Sequence, residues 1–266
     1  MKLNSDNIIY IAAYNNSEKI FQLLKDLKNV KFIFDVLVID DCSTDNTISE
    51  IRKFTQKEKY NFNLYVIRTK KNYGYAASQK LAYSIFIEQI NCKNIIMLHG
   101  DAQYEPILLN GFSKFFNSEC SIVQGFRDKR IFSKEDQTPM TAYKMIKFLN
   151  HYENFIFRTK FKEWHSGFVM YKKKFLKKLQ LDSLINSPHI DGNILYTSKL
   201  LSEKVCYFEI YKKYKRKNNY NYFLMFKYVC SIFFLPILFL IKNKNFLLNR
   251  KIKLNYHYEI IDLSSE

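Results

Sequence analysis

Residues 32–47 read FIFDVLVIDDCSTDNT, and this stretch decides the fold. Phe32–Ile39 is a short apolar run rich in β-branched and aromatic residues, the composition of a buried strand. It ends on two carboxylates, Asp40 and Asp41. Ser43 to Thr47 then supplies N-cap chemistry ahead of Ile48, Ile51 and Phe54 on one helical face. The stretch is therefore a strand running into a helix.

The same unit recurs on both sides. Asn7–Ala12 is apolar and precedes Ile20, Leu23, Leu24 and Leu27 at i, i+3, i+4, i+7 spacing. Asn63–Ile67 precedes a helix over about Tyr75 to Gln89. Asn94–Leu98 precedes Pro106, which suits a first helical turn, and Ile122–Phe126 is a fifth strand. Strands and helices alternating at this rhythm predict an α/β fold: a Rossmann-like, mainly parallel sheet flanked by helices. Ligands in such sheets bind beyond the carboxyl ends of the strands. Polar clusters follow strands one, two and four: Tyr14-Asn15, Asp40-Asp41 and His99-Gly100-Asp101. Further on, Asp191–Leu201 reads as a helix and Val205–Ile210 as a strand.

Composition sets the outer limits. With 266 residues and 47% hydrophobic content, the chain can bury one large core and carry an appendage. Five cysteines are scattered singly without CxxC spacing, which predicts reduced thiols. The run Ile8–Tyr14 is too short for a signal peptide. Net charge is +17, and residues 205–266 hold eleven Lys/Arg against four Asp/Glu. That basic segment also contains the longest apolar run, Tyr222–Ile241, interrupted by Lys227, Ser231 and Pro236. Basic flanks on an apolar run favour an anionic membrane surface over nucleic acid, with the run lying in the interface and a single membrane-embedded helix as the alternative. Most aromatics fall in apolar runs instead of interleaving with Lys/Arg, which argues against a nucleic-acid partner.

Three clusters carry candidate chemistry. Asp40-Asp41 ends a buried strand, where an unpaired carboxylate is costly. Ser43 and Asp45 account for helix capping, leaving Asp41 for hydrogen bonds from a base or ribose. Asp101 follows Gly100 just past another buried strand, where a carboxylate suits Mg²⁺ or Mn²⁺ bound to a diphosphate. Glu163-Trp164-His165-Ser166-Gly167 brings an acid, an indole and an imidazole together beside a glycine.

The order IIYIAAYNNSEKI, VLVIDDCSTDNT, NYGYAAS, IIMLHGDAQYEP, QGFR and EWHSGF resembles the family-2 glycosyltransferases, most of all the dolichyl-phosphate mannose/glucose synthase-like branch, over about Ile8 to Tyr214. The resemblance implies a GT-A fold and nucleotide-sugar donor. Ala13, Tyr14, Asp40 and Asp41 would surround base and ribose, and Arg127 would face the donor. Asp101, with His99 and Gln103, would serve a divalent metal and the diphosphate; Glu163, His165 and Asp191 would lie on the sugar and acceptor side. Departures stand at Ala12, where the family usually has Pro, at Asn16 (Glu), at His99 (Asp) and at Val169 (Arg). A His99 nitrogen would suit Mn²⁺ better than Mg²⁺.

The expected organisation is a glycosyltransferase domain over 1–215, split into a nucleotide-sugar half (1–127) and an acceptor half (128–215), with a membrane-associating helical tail over 216–266. The expected activity is inverting sugar transfer to a lipid-linked or cell-surface glycan at the cytoplasmic face of a membrane, with Asp191 or Glu163 as base. A polyprenyl-phosphate acceptor, which needs no base, and a non-catalytic nucleotide-sugar binder are the alternatives. A nucleotidyltransferase is disfavoured because Ala12–Ser17 has no glycine.

Overall fold

The computed structural model describes residues 5–128, 139–213, 229–230, 232–233 and 256–263. Among these, eight strands form one sheet in the order β7-β5-β6-β4-β1-β2-β3-β8. At its centre lie β1 (Asn7–Ala13), β2 (Asp35–Asp40), β3 (Leu64–Thr69) and β4 (Asn94–His99), all parallel. Every residue of β2 is buried, as expected of a strand covered on both faces. Alternation along β1 serves two cores: Ile8 and Tyr10 enter one, Ile9 and Ile11 the other.

Helix α1 (Ser17–Asp26) buries Ile20, Leu23 and Leu24, and α2 (Thr47–Lys57) buries Ile51 and Phe54; both cover the Ile9 face. The opposite face is covered by α3 (Tyr75–Glu88) and by α6 (Ile190–Leu200). Pro106 opens a helical segment, Pro106–Phe115, but it is 3₁₀ rather than α. Strand β5 (Ile122–Arg127) pairs in parallel with β7 (Val205–Ile210). Between β5 and β4 lies β6 (Val169–Lys172), antiparallel to both. The long helix α4 (Met140–Phe157) and the short α5 (Lys173–Leu176) complete the body.

The structure departs from the sequence reading in three places. The second strand starts at Asp35, because Phe32 and Phe34 turn instead into a ring cluster with Phe62 and Phe116. Cys120 and Cys206, expected as free thiols, form a disulfide that ties the start of β5 to β7, with Cα atoms 5.8 Å apart. Finally, part of the segment read as tail belongs to the sheet. Residues Tyr258–Ile260 form β8, antiparallel to β3, which satisfies an edge that would otherwise stand unpaired. The apolar run Tyr222–Ile241 lies outside the described residues apart from 229–230 and 232–233. Among the described residues, no helix is long and apolar enough to cross a membrane.

Candidate active site

Two cavities open at the carboxyl ends of β1, β2 and β4, and Tyr75 and His99 line both. The first, about 270 Å³, is lined by Ala12, Ala13, Tyr14 and Asp41 together with Gly74 and Asp101. Its floor is backbone drawn close. The Gly100 N–H donates to the Ala12 carbonyl at 3.1 Å, and a Cβ on Gly100 would lie 2.5 Å from that oxygen. The Asp41 N–H donates to the Ala13 carbonyl at 2.9 Å.

The two carboxylates after β2 have different tasks. Asp40 is fully buried and engaged by the Ser43 hydroxyl, the Ser43 N–H at 3.2 Å and Arg68 Nε at 3.4 Å. Burial outweighs these partners and raises its pKa. It does not line the cavity; it shapes the turn. Asp41 does line it, but it is not idle as the sequence suggested. It accepts from Thr69 Oγ1 at 3.0 Å, the Tyr73 N–H at 2.9 Å and the Gly74 N–H at 2.7 Å. A carboxylate offers about four acceptor positions, so roughly one remains for a ligand. Gly74 takes φ +86°, a left-handed conformation that a side chain would strain, and it starts α3 there.

Asp101 is half-buried at the cavity wall, and its Oδ1 accepts the Gln103 N–H at 3.1 Å. Gln103 thus contributes backbone, and its carbonyl accepts from the Lys213 N–H at 3.0 Å. Burial lowers the pKa of His99, so its ring is a neutral ligand-type imidazole. Its Nε2, which has no aligned hydrogen-bond partner, is turned against Gly167, where a Cβ would overlap it. Among the described residues, no group of three or more His, Cys, Asp or Glu could hold a metal ion. A divalent cation still fits this wall if Asp101 holds it and diphosphate oxygens and water complete the shell, the usual mode for Mg²⁺. Lys212, which passes 5.3 Å from the Tyr104 ring and lowers the pKa of His99 by its charge, adds a cation to which the sequence reading gave no role.

The second cavity, about 260 Å³, is lined by Trp164, His165, Gly167, Pro188, His189 and Asp191 besides the shared pair. Asp191 sits in the first turn of α6, where the helix dipole favours an anion. Gln79 Nε2 at 2.6 Å and the Tyr75 and Tyr171 hydroxyls, both at 3.1 Å, donate to it. Burial nonetheless dominates and raises its pKa, moving it toward the range of a working base.

His165 and His189 share a partner that the sequence did not disclose. Glu153 of α4, fully buried, reaches His189 Nε2 at 2.6 Å and lies 3.0 Å from His165 Nε2, the latter an ion-pair contact without hydrogen-bond alignment. Burial pushes the Glu153 pKa up, but the two imidazoles outweigh it and the net shift is downward. Glu163 and Arg127 line neither cavity. They pair with each other, Nη2 to Oε2 at 3.1 Å, both almost fully buried. A buried guanidinium needs such a partner. Glu163 Oε1 also accepts the His165 N–H at 3.1 Å. Although burial raises it, Arg127 and His165 lower the Glu163 pKa overall, which suits a structural anion and not a base.

Of the residues expected from sequence, Ala13, Tyr14, Asp41, Asp101 and His99 meet in the first cavity and His165, Asp191 and His99 in the second. Asp40, Gln103, Arg127 and Glu163 support them from behind. Tyr75, Gly74, Glu153, His189 and Lys212 were missed. The stretch NYGYAAS had marked the first two without giving them tasks.

The mainly parallel sheet thus carries two adjacent cavities at its carboxyl edge, one lined by Asp101 and the other by the buried carboxylate of Asp191, in an α/β fold. The chain belongs to Glycosyl transferase family 2, whose profile it matches over residues 8–180. It is a glycosyltransferase of the GT-A type. It is 28% identical over 177 residues to an uncharacterised protein of Methanocaldococcus jannaschii, covering 65% of this chain and 74% of that one. Its fold is similar to that of the mannosyltransferase PcManGT from Pyrobaculum calidifontis in complex with GDP-Man and Mn²⁺ (TM-score 0.63, 14% identity, 90% and 68% of the two chains). It is also similar to glucosyl-3-phosphoglycerate synthase from Mycobacterium tuberculosis with Mn²⁺, UDP-glucose and phosphoglyceric acid (TM-score 0.63, 10% identity, 86% and 79%).

Proposed function

We propose that this glycosyltransferase moves a sugar, with inversion, from a nucleotide sugar held in the first cavity to a hydroxyl of a lipid-linked or cell-surface glycan entering the second. The observation that carries this reading is Asp191: a buried carboxylate of raised pKa, held by three donors, facing the cavity next to the one that Asp101 lines. Asp191 takes the proton of the acceptor hydroxyl as its oxygen bonds to the anomeric carbon, and the bond from that carbon to the diphosphate breaks on the opposite face. Asp101 would hold Mn²⁺ or Mg²⁺, which when bound supplies charge neutralisation for the departing diphosphate. Lys212 adds a second positive charge on that side. Tyr75 and Gln79 fix the carboxylate of Asp191. Binding at the cytoplasmic face of a membrane, through the basic tail, would present lipid-linked acceptors to the second cavity.

Single-turnover assays of Asp191→Asn, on whichever nucleotide sugar the wild type turns over, test the reading. The rate should fall about 10²–10⁴-fold with donor binding intact. Glu163→Gln should lose activity together with stability, because it strands Arg127. Undiminished transfer by Asp191→Asn would point to an acceptor that is already anionic, such as a polyprenyl phosphate.

A further inference from the structure

We propose that Tyr256 and the strand that follows it are positioning elements of the nucleotide pocket, acting through Tyr73. The inference rests on the reading of the first cavity as the donor site. The chain of contacts is short. Asp41 lines that cavity and holds the backbone of Tyr73 and Gly74 through their N–H groups, at 2.9 and 2.7 Å. Asn72 and Gly74, from the same loop, line the cavity too. On its outer side the loop is gripped by the far end of the chain. The Tyr256 ring meets the Tyr73 ring edge-on at 5.1 Å, and the His257 N–H donates to the Tyr73 hydroxyl at 3.3 Å. The Lys70 N–H donates to the His257 carbonyl at 3.0 Å, just before the β3–β8 ladder begins at Thr69 and Tyr258.

Loop 70–74 is thus fixed from both sides: by Asp41 from within, by residues 256–258 from without. An edge-to-face ring pair adds attraction beyond simple burial. Burial, then the charge of Asp182, with smaller contributions from Tyr73 and Asp41, pushes the Tyr256 hydroxyl up to about 12, which places the ring within the field of Asp41. Removing the outer grip frees Tyr73 and with it the two N–H groups that hold the Asp41 carboxylate in place. Nucleotide affinity then falls, because the loop must be ordered again each time a ligand binds.

Calorimetric titration of the full-length protein with UDP and with GDP, each with Mn²⁺, tests this. Tyr256→Ala should weaken binding of whichever nucleotide the wild type takes, by roughly five- to tenfold, the low end of coupling between separate sites. Tyr256→Phe, which keeps the ring, should restore it. Amide hydrogen exchange supplies the second measurement. In Tyr256→Ala the Tyr73 and Gly74 amides should exchange faster while those of β1 and β2 stay protected, which also establishes that the variant is folded. Wild-type affinity together with wild-type protection in Tyr256→Ala would overturn the proposal. A wild type that binds neither nucleotide would instead overturn the assignment of the cavity, while the exchange result would still report on the grip itself.

Discussion

Asp191 and Asp101 are the two side chains on which the chemistry turns, and their surroundings make different demands. Asp191 is buried, so its pKa is raised. A base acts only when deprotonated. The acidic limb of the rate profile should therefore lie above the ordinary Asp value of about 3.9, and activity should rise with pH through that limb. In Asp191→Asn the residual rate should lose the limb, which a pH series of single-turnover rates reads directly. The linkage to stability has the opposite sense. A raised carboxyl pKa means that the folded state holds its proton longer, so Asp191 costs stability as pH climbs past its folded pKa. Asp101 is half-exposed at a cavity wall, and replacing it should leave the fold alone. Asp101→Asn should abolish turnover and also the metal-dependent rise in thermal midpoint expected of the wild type with nucleotide. Wild-type turnover in that variant would sink the metal assignment. Asp101 was legible because it stands beside Gly100 just past a buried strand, whereas Asp191 came only from the family resemblance, since an acid in the first turn of a helix is ordinary. Glu153 and His189 were not legible. They lie 12 residues before His165 and 24 after it, and only the approach of α4 to the start of α6 unites the three.

At the scale of elements, the side chains of Asn15, Ser43, Asp45 and Thr47 stitch the first two strand-to-helix turns together, and Asp45 reaches the start of both helices. Asp45 accepts the Ser17 N–H at the start of α1 and the Thr47 N–H at the start of α2, each at 3.0 Å. Despite some desolvation, these partners hold its pKa down to about 2. Its contribution should be complete above the unfolded value of about 3.9 and lost as pH falls toward 2. Asp45→Ala should cost about 1 kcal/mol in urea unfolding at neutral pH and much less near pH 2; an equal loss at both would refute the charge-based account. The central strands were readable because a parallel sheet covered on both faces leaves unbroken apolar runs. Strand β8 was not, since three residues, two of them exposed, carry no such signature. The antiparallel direction of β6 follows from the path of the chain, which no local pattern encodes. The Cys120–Cys206 pairing was equally hidden: isolated cysteines 86 residues apart reveal no connectivity until β5 and β7 lie side by side.

For the molecule as a whole, the excess of positive charge is the dominant fact. A net +17, with +7 of it in residues 205–266, should draw the protein to anionic vesicles. Salt should release it, because screening shortens from about 10 Å at 0.1 M to about 3 Å at 1 M. Co-sedimentation across a salt series measures this, and binding that survives both high salt and alkaline wash would contradict a surface attachment. The eighth strand adds a constraint of another kind, one of closure. Lys213 is hydrogen-bonded beside the first cavity, and residues 258–260 pair with β3 in the same sheet. Removing residues 258–260 therefore takes the edge strand from the sheet, and with it the hydrogen bonds that cover β3, rather than trimming an independent appendage.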